Sequence, residues 1–213
     1  MALIQKSSGL ASRLGEAAGL VLKERRIRVI SHYDADGISA AAVLTGALIK
    51  LKKQFQVTLI RSLDSAAAER FKKEDFGLFI FSDMGSGQLE LISSLGRRAI
   101  VLDHHKLPSP LNEGNVIHIN PVIWGADGTS EVCGSTAAYM LADEISELNA
   151  DLIDCALAGA YGDMQHIGGF KGINQGITTA GISKGFLKES RGFQLEGSNL
   201  VEALTSSVQP YLR

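Results

Sequence analysis

The chain has 213 residues, of which 45% are hydrophobic and 21% charged, and this near-average composition disfavours a disordered protein. With 21 Lys and Arg against 23 Asp and Glu, the net charge of −2 disfavours a nucleic-acid binder held mainly by bulk positive charge. The longest charge-free apolar stretch, 37–49, falls short of the roughly 20 residues that span a bilayer, and the N-terminal residues lack the apolar segment of a signal peptide. The two cysteines form no CxxC pair, so we expect a reduced, cytoplasmic protein that has no structural zinc and does not act at a membrane.

Apolar runs and helical spacing alternate along most of the chain. The predicted elements are, in chain order, a helix over 3–24, a strand over 27–32, a helix over 37–53, a strand over 56–62, a helix over 65–72, a strand over 77–83, a helix over 86–95, strands over 98–103 and 115–120, helices over 135–147 and 151–162, and a Gly-rich stretch that turns weakly helical to about residue 186. This order predicts an α/β fold, a parallel β-sheet with helices on both faces followed by a helical C-terminal part.

Carboxylates and histidines follow three of the predicted strands. They are HYDADG with His32, Asp34 and Asp36, FSDMG with Asp83, and LDHHK with Asp103, His104 and His105. In the first group alternate residues of an extended segment point the same way, and Gly37 permits the turn into the next helix. Because ligands of open parallel sheets bind outside the carboxyl ends of the strands, we expect the three groups to meet in one crevice.

This mixture of carboxylates and imidazoles is typical of a site for divalent metal ions. Mn²⁺ fits the mixture best, and Mg²⁺ or Co²⁺ are alternatives. Such a set could hold two ions with a carboxylate between them, and four aspartates would balance their four positive charges. Each residue also has an ordinary structural interpretation, since a single Asp at a strand end is usually a helix N-cap and a single His is usually packed in a core. The coincidence of all three groups favours the metal site, whereas His118 is interpreted as structural and His166 is left unassigned.

Four motifs, HYDADG, SDMG, LDHHK and AGAYGDM, resemble in that order the four motifs of the DHH phosphoesterase superfamily. They span His32 to Asp163. Within the superfamily the chain is most similar to archaeal RecJ-type proteins, which are related to the bacterial single-strand exonuclease RecJ and to a helicase-associated subunit of the eukaryotic replisome. This narrower resemblance depends on GDMQ, on GINQGI and on the terminal EALTSSVQPYLR.

The resemblance implies a role for each matching residue. One ion would be held by His32, Asp34 and Asp83, and the other by Asp36, Asp83, His104 and Asp163. Asp83 would therefore bridge the two ions. Asp103 would orient a ligand imidazole from outside the coordination shell, and His105 would face the scissile phosphate. Without the resemblance, Asp163 is interpreted as a surface acid at a helix end.

Gly134 and Ser135 open a predicted helix. Free amides at a helix N-terminus bind anions, so these two residues are candidates for contact with a substrate phosphate. A plain helix N-cap is the alternative.

The resemblance also predicts how the chain is divided. Residues 1–163 would form the catalytic domain, and residues 164–213 a Gly-rich, helical extension leading toward a second domain. Related members carry a smaller domain with a Gly-Gly-Gly-His type motif that grips the substrate, and we find no such motif here. We expect the chain to be the catalytic half of a longer protein rather than a shortened member.

The expected activity is metal-dependent phosphodiester hydrolysis, most simply by a single-strand exonuclease acting on DNA or RNA in replication or repair. One alternative is a small-substrate phosphatase acting on oligoribonucleotides, nucleoside bisphosphates or pyrophosphate. Another is a replisome interaction subunit, in which the domain docks onto replication-complex proteins such as a GINS-type helicase accessory complex and hydrolysis is secondary.

Overall fold

The computed structural model describes residues 8–107, 114–189, 198–199 and 201–202. Five strands form one sheet: β1 (Arg26–His32), β2 (Gln54–Ile60), β3 (Leu78–Ser82), β4 (Arg98–Leu102) and β5 (Val116–Ile119). Seven α-helices are described: α1 (Ser8–Lys23), α2 (Ala35–Lys50), α3 (Ser65–Lys72), α4 (Leu89–Ser93), α5 (Gly134–Ile145), α6 (Ile153–Gly162) and α7 (Gly172–Ser183). Short 3-10 helices cover Pro121–Trp124 and Glu147–Leu152.

The sheet is parallel throughout, with strand order β2-β1-β3-β4-β5. Strand β3 shows how its two faces are used, because Leu78 and Ile80 enter the core formed with α1, α2, α5 and α6, whereas Phe79 and Phe81 enter the core beneath α3 and α4. Side chains alternate between the faces of a strand, so a strand buried on both faces is apolar throughout. The predicted α/β fold with a helical C-terminal part is therefore confirmed.

Some boundaries differ from those predicted. Strand β2 begins two residues before the predicted 56, and as an edge strand with partly exposed side chains it gives a weaker apolar signal than the central strands. Helix α4 begins only at Leu89, because residues 85–88 form a turn in which the Gln88 amide donates to the Gly85 carbonyl at 2.9 Å, while the Ser86 amide donates to the Asp103 carboxylate. The predicted start of the first helix at Leu3 lies outside the described residues, as does most of the terminal EALTSSVQPYLR. No helix within the described ranges is long and apolar enough to cross a membrane.

A buried arginine fastens β1 to the segment that precedes β3. The side chain of Arg28 is 2% exposed, and its Nε donates to Glu74 at 2.5 Å. A terminal nitrogen of the same guanidinium donates to Thr58 at 2.7 Å, and the group lies over the rings of Phe71 and Phe76. A buried charge of this kind is stable only while its partner is present.

Replacing Glu74 with alanine is expected to destabilise the fold by on the order of 3 kcal/mol, because the Arg28 charge stays buried without its carboxylate. The neighbouring Asp75→Ala is the matched control. It breaks an ion pair with Arg26 that is exposed on both sides, and such pairs contribute at most about 1 kcal/mol. Urea denaturation of both variants tests the difference, and equal losses would contradict the assigned role of Arg28.

Candidate metal centre

Three adjacent strands deliver the acidic and imidazole side chains to one edge of the sheet. His32 is the last residue of β1, Asp83 directly follows β3, and Asp103 directly follows β4. Strand β3 lies between the other two, as expected for a carboxylate that faces ligands from both sides. The parallel order therefore brings together groups that are distant in the sequence.

The first turn of α2 places two carboxylates beside His32. Asp34 is the N-cap of the helix, with one oxygen accepting the Gly37 amide at 2.9 Å and the other lying 2.7 Å from His32 Nδ1. A Cβ at Gly37 would lie 2.3 Å from the His32 carbonyl oxygen, so this turn requires glycine. Asp36, two residues further than Asp34, is 1% exposed and points into the protein.

The carboxylate of Asp36 is held by the N-terminus of α5. Its two oxygens accept the amides of Gly134 at 2.5 Å and of Ser135 at 2.9 Å. The hydroxyl of Ser135 is fully buried and donates to the Ala156 carbonyl at 2.7 Å, while Cys133 is the N-cap residue. In this geometry the amides of Gly134 and Ser135 hold Asp36. Their contact with a substrate phosphate stays a prediction.

Asp83 is buried with both carboxylate oxygens uncompensated. It is 2% exposed, and within the described residues neither oxygen has a hydrogen-bond partner. One oxygen lies 3.4 Å from His32 Nδ1 and the other 3.2 Å from His104 Nε2. Its backbone has φ of +56°, a left-handed conformation that Asp adopts more readily than most residues. Burial raises the pKa of Asp83 to about 8, and the nearby Asp36 carboxylate adds to this effect against the opposing contact with His104.

His104 presents a single ring nitrogen to the carboxylates. Its Nδ1 lies 2.7 Å from the Gly128 carbonyl oxygen, to which it donates, so Nε2 is the atom that faces the cluster. Nε2 lies 3.5 Å from Asp163 and 3.7 Å from Asp36. Burial favours the neutral ring, but the contacts with Asp83 and with the Gly128 carbonyl raise the pKa of His104 to about 9.

Asp163 joins the cluster from the C-terminal end of α6. Its side chain is 26% exposed and faces His104. Burial raises the pKa of Asp163 to about 6, and the charge of Asp36 contributes to the same effect. The surface-acid interpretation, which the residues alone favour, does not hold for this position.

Asp103 orients the imidazole of His105, the residue that the resemblance places opposite the scissile phosphate. Its Oδ1 lies 2.7 Å from Nδ1 of His105, whereas the ring of His104 is held by the Gly128 carbonyl. Asp103 also accepts the amides of His104 and Ser86, both at 2.8 Å. Although burial opposes it, the hydrogen bond from His105 holds the pKa of Asp103 well below its usual range. The same bond raises the pKa of His105, whose ring is more than half exposed.

The described residues form three overlapping groups with the spacing of metal ligands. The groups are His32, Asp34 and Asp83; Asp36, His104 and Asp163; and Asp83, His104 and His105, with the ligand atoms of each group within 4.8 Å of one another. Every metal ligand predicted from the sequence thus lies in this cluster. The uncompensated oxygens of Asp83 and the mixed carboxylate and imidazole donors fit two divalent cations.

Sequence reasoning missed Ser86 and Asn120, two polar residues that support this cluster. His118, interpreted as structural, lies with Nε2 2.8 Å from the hydroxyl of Ser86, and Asn120 donates both to that hydroxyl and to the His105 carbonyl. The available signal in the sequence was Asn120, a polar residue at the end of the apolar strand β5. His166 stacks on Tyr161 with ring centroids 3.7 Å apart and belongs to none of the three ligand groups.

One protein family and two individual proteins resemble this chain in sequence. The family model described as the DHH family, N-terminal domain, matches residues 26–160. The uncharacterized protein MJ0831 of Methanocaldococcus jannaschii is 34% identical over 194 residues, which cover 87% of this chain and 44% of that protein. The single-stranded-DNA-specific exonuclease RecJ of Bacillus subtilis is 26% identical over 165 residues, which cover 72% of this chain and 20% of that protein.

A solved structure shows the same fold. The crystal structure of exonuclease RecJ bound to manganese matches with a TM-score of 0.66 and 24% identity, covering 80% of this chain and 47% of that one. The chain thus spans less than half the length of each of these three relatives.

Proposed function

Since the chain belongs to the DHH family, we propose that it is a phosphodiesterase that uses two divalent metal ions and degrades single-stranded nucleic acid from an end. The observation that supports this most strongly is Asp83. A buried carboxylate with two uncompensated oxygens, one directed at each neighbouring ligand group, is costly unless cations are bound there.

The resemblance to the family implies two ligand sets, and the overlapping groups support them. One ion would be held by His32, Asp34 and Asp83, and the other by Asp36, Asp83, His104 and Asp163. We infer Mn²⁺ as the preferred ion because the donors combine carboxylates with imidazoles, a mixture that hard Mg²⁺ uses less readily. Structurally similar RecJ proteins hold manganese in one crystal structure and Mg²⁺ in another, which supports a site for divalent ions.

The bound ions would supply a hydroxide nucleophile at neutral pH by lowering the pKa of a coordinated water. Of the chain's own residues, His105 is the one that we expect to act on the substrate. With Nδ1 held by Asp103 and the ring half exposed, its Nε2–H is left to donate to a phosphoryl oxygen as negative charge develops there. The carboxylate of Asp103 raises the pKa of this ring through their hydrogen bond and fixes its orientation.

The rim of the site favours an oligonucleotide over a single small phosphate. Arg61 follows β2 and Lys106 follows His105, so two exposed basic residues flank the ligand-bearing strand ends on opposite sides. Tyr33 is 51% exposed beside His32, and the Arg61 guanidinium lies 5.9 Å from its ring centre. Aromatic rings and basic side chains together bind single strands by base stacking and phosphate contact. Association with replication-complex proteins stays a prediction.

Hydrolysis of end-labelled oligomers tests the function. With Mn²⁺ present, 5′- and 3′-labelled single strands of DNA and RNA are expected to lose mononucleotides from one end, and a blunt duplex is expected to resist. Chelation by EDTA should stop the reaction, and Asp83→Asn protein controls for contaminating nucleases.

Two other outcomes would replace the proposal. Cleavage of pyrophosphate or nucleoside bisphosphates without cleavage of longer strands would favour a small-substrate phosphatase. Binding of Mn²⁺ without any hydrolysis would favour an interaction subunit.

A further inference from the structure

A chain of buried hydrogen bonds connects α7 to the metal centre. Asn174, in α7, is fully buried and donates through Nδ2 to Oε1 of Gln165 at 2.7 Å. Gln165 is 5% exposed and donates through Nε2 to the carbonyls of Val132 at 3.0 Å and Gly128 at 3.2 Å. The Gly128 carbonyl is also the acceptor for His104 Nδ1. Two residues from the sequence motifs GDMQ and GINQGI, which the proposed chemistry does not use, thus reach a candidate ligand through one backbone oxygen.

The loop that carries Gly128 is held at several points by the same elements. A Cβ at Gly128 would lie 2.1 Å from the His104 carbonyl oxygen, so the loop packs directly against the turn that contains the ligand. The backbone amide of Asn174 donates to the Glu131 carbonyl at 2.9 Å. The position of the Gly128 oxygen is therefore set by Gln165 and α7, and not by the loop alone.

We propose that Gln165 and Asn174 are positioning residues that fix the Gly128 carbonyl and thereby aim His104 Nε2 at the metal centre. The carbonyl accepts from Nδ1 and so leaves Nε2 free for a metal ion, and partners of this kind orient ligand imidazoles in metal sites. The inference rests on the proposed two-metal function. According to this inference, the segment after Asp163 changes the affinity of the site for metal without contacting metal or substrate.

Two variants remove the donors while keeping side-chain size. Asn174→Asp cannot donate to Gln165, and Gln165→Met cannot donate to either carbonyl. Each is expected to weaken Mn²⁺ binding by about tenfold, the lower end of the range for residues that support a ligand. Isothermal titration of metal-free protein with MnCl₂ measures this directly, and the visible spectrum of the Co²⁺-loaded protein should change because the imidazole is less well oriented.

Asn149→Asp is the matched control. Asn149 is 1% exposed, donates through Nδ2 to the Ala142 carbonyl at 2.7 Å, and like Asn174 has no partner for its Oδ1 among the described residues. The same substitution there should lower the melting temperature similarly but leave Mn²⁺ affinity and the Co²⁺ spectrum unchanged. Activity of the Asn174 and Gln165 variants should recover at tenfold higher Mn²⁺, which a general loss of stability would not produce.

The results distinguish failure of the positioning role from failure of the proposed function. If Gln165→Met, which introduces no buried charge, folds and keeps the wild-type affinity and Co²⁺ spectrum, the positioning role is wrong while the two-metal site stands. An equal loss of affinity in Asn149→Asp would also overturn it. If the wild-type chain binds no Mn²⁺, the proposed function and this inference fail together.

Discussion

Asp83→Asn is expected to lower hydrolysis by at least about 10³-fold and, in the absence of metal, to raise the melting temperature. A metal ion contributes several kcal/mol of charge stabilisation in the transition state, and the neutral amide cannot bridge two cations. Above the raised pKa of Asp83, about 8, the metal-free carboxyl is ionised, and the same change then removes a buried charge whose oxygens have no hydrogen-bond partner among the described residues. Asparagine tolerates the left-handed backbone at this position, so the fold is retained.

Activity assays and thermal melts in EDTA measure the two effects together. Asp64→Asn is the control, because Asp64 caps α3 by accepting the Ala67 amide and lies outside the three ligand groups. It should leave activity unchanged. An Asp83→Asn protein with near-normal turnover would contradict the bridging assignment.

The stabilisation that Mn²⁺ confers is expected to grow as pH rises from 5.5 to 8.5. In metal-free protein the pKa of Asp83 is raised from 3.8 to about 8 and that of Asp163 from 3.8 to about 6, so the folded state binds these protons more tightly than the unfolded state. Stability from both groups is present at low pH and is lost as pH rises through the raised values. The pKa of His104 is raised from 6.5 to about 9, so the stability that this group contributes is also lost as pH rises between those two values.

Metal ions compete with these protons for the same atoms, so Mn²⁺ affinity increases with pH. A 100-fold excess of Mn²⁺ over Kd stabilises the folded state by about 2.7 kcal/mol, which for a chain of this length raises the melting temperature by roughly 5–10 °C. Thermal melts in EDTA and in Mn²⁺ across the pH series measure the difference. It should be small at pH 5.5 and largest at pH 8.5, and a constant difference would show that these carboxylates are not the ligands.

The fold and most of the candidate centre could be predicted because their signals are local. Apolar strands that end in charged residues mark both the sheet and its carboxyl edge, and for this reason His32, Asp83 and His104 were found from the residues themselves. Asp163 was different. It ends a helix, where an acid is ordinarily a surface residue, and only the resemblance to a family identified it as a candidate.

What could not be predicted depends on backbone atoms and on distant contacts. The Gly128 carbonyl that holds His104 belongs to a loop with no distinctive pattern, and a carbonyl oxygen leaves no trace in the sequence. Which imidazole Asp103 orients could not be predicted for a related reason. One Asp103 oxygen accepts backbone amides of the turn, which bends the chain so that His105, and not His104, meets that oxygen.

The contact between His104 and Asp163 has a consequence for the kinetics of folding. His104 follows β4, whereas Asp163 ends α6, which packs together with α5 against α2. We therefore expect the group of Asp36, His104 and Asp163 to be completed late in folding, when nearly the whole sheet and its helices are in place. Interactions absent from the transition state change the unfolding rate and leave the folding rate nearly constant. Metal ions bound at this centre are therefore expected to slow unfolding and to lengthen the lifetime of the folded chain without speeding its formation.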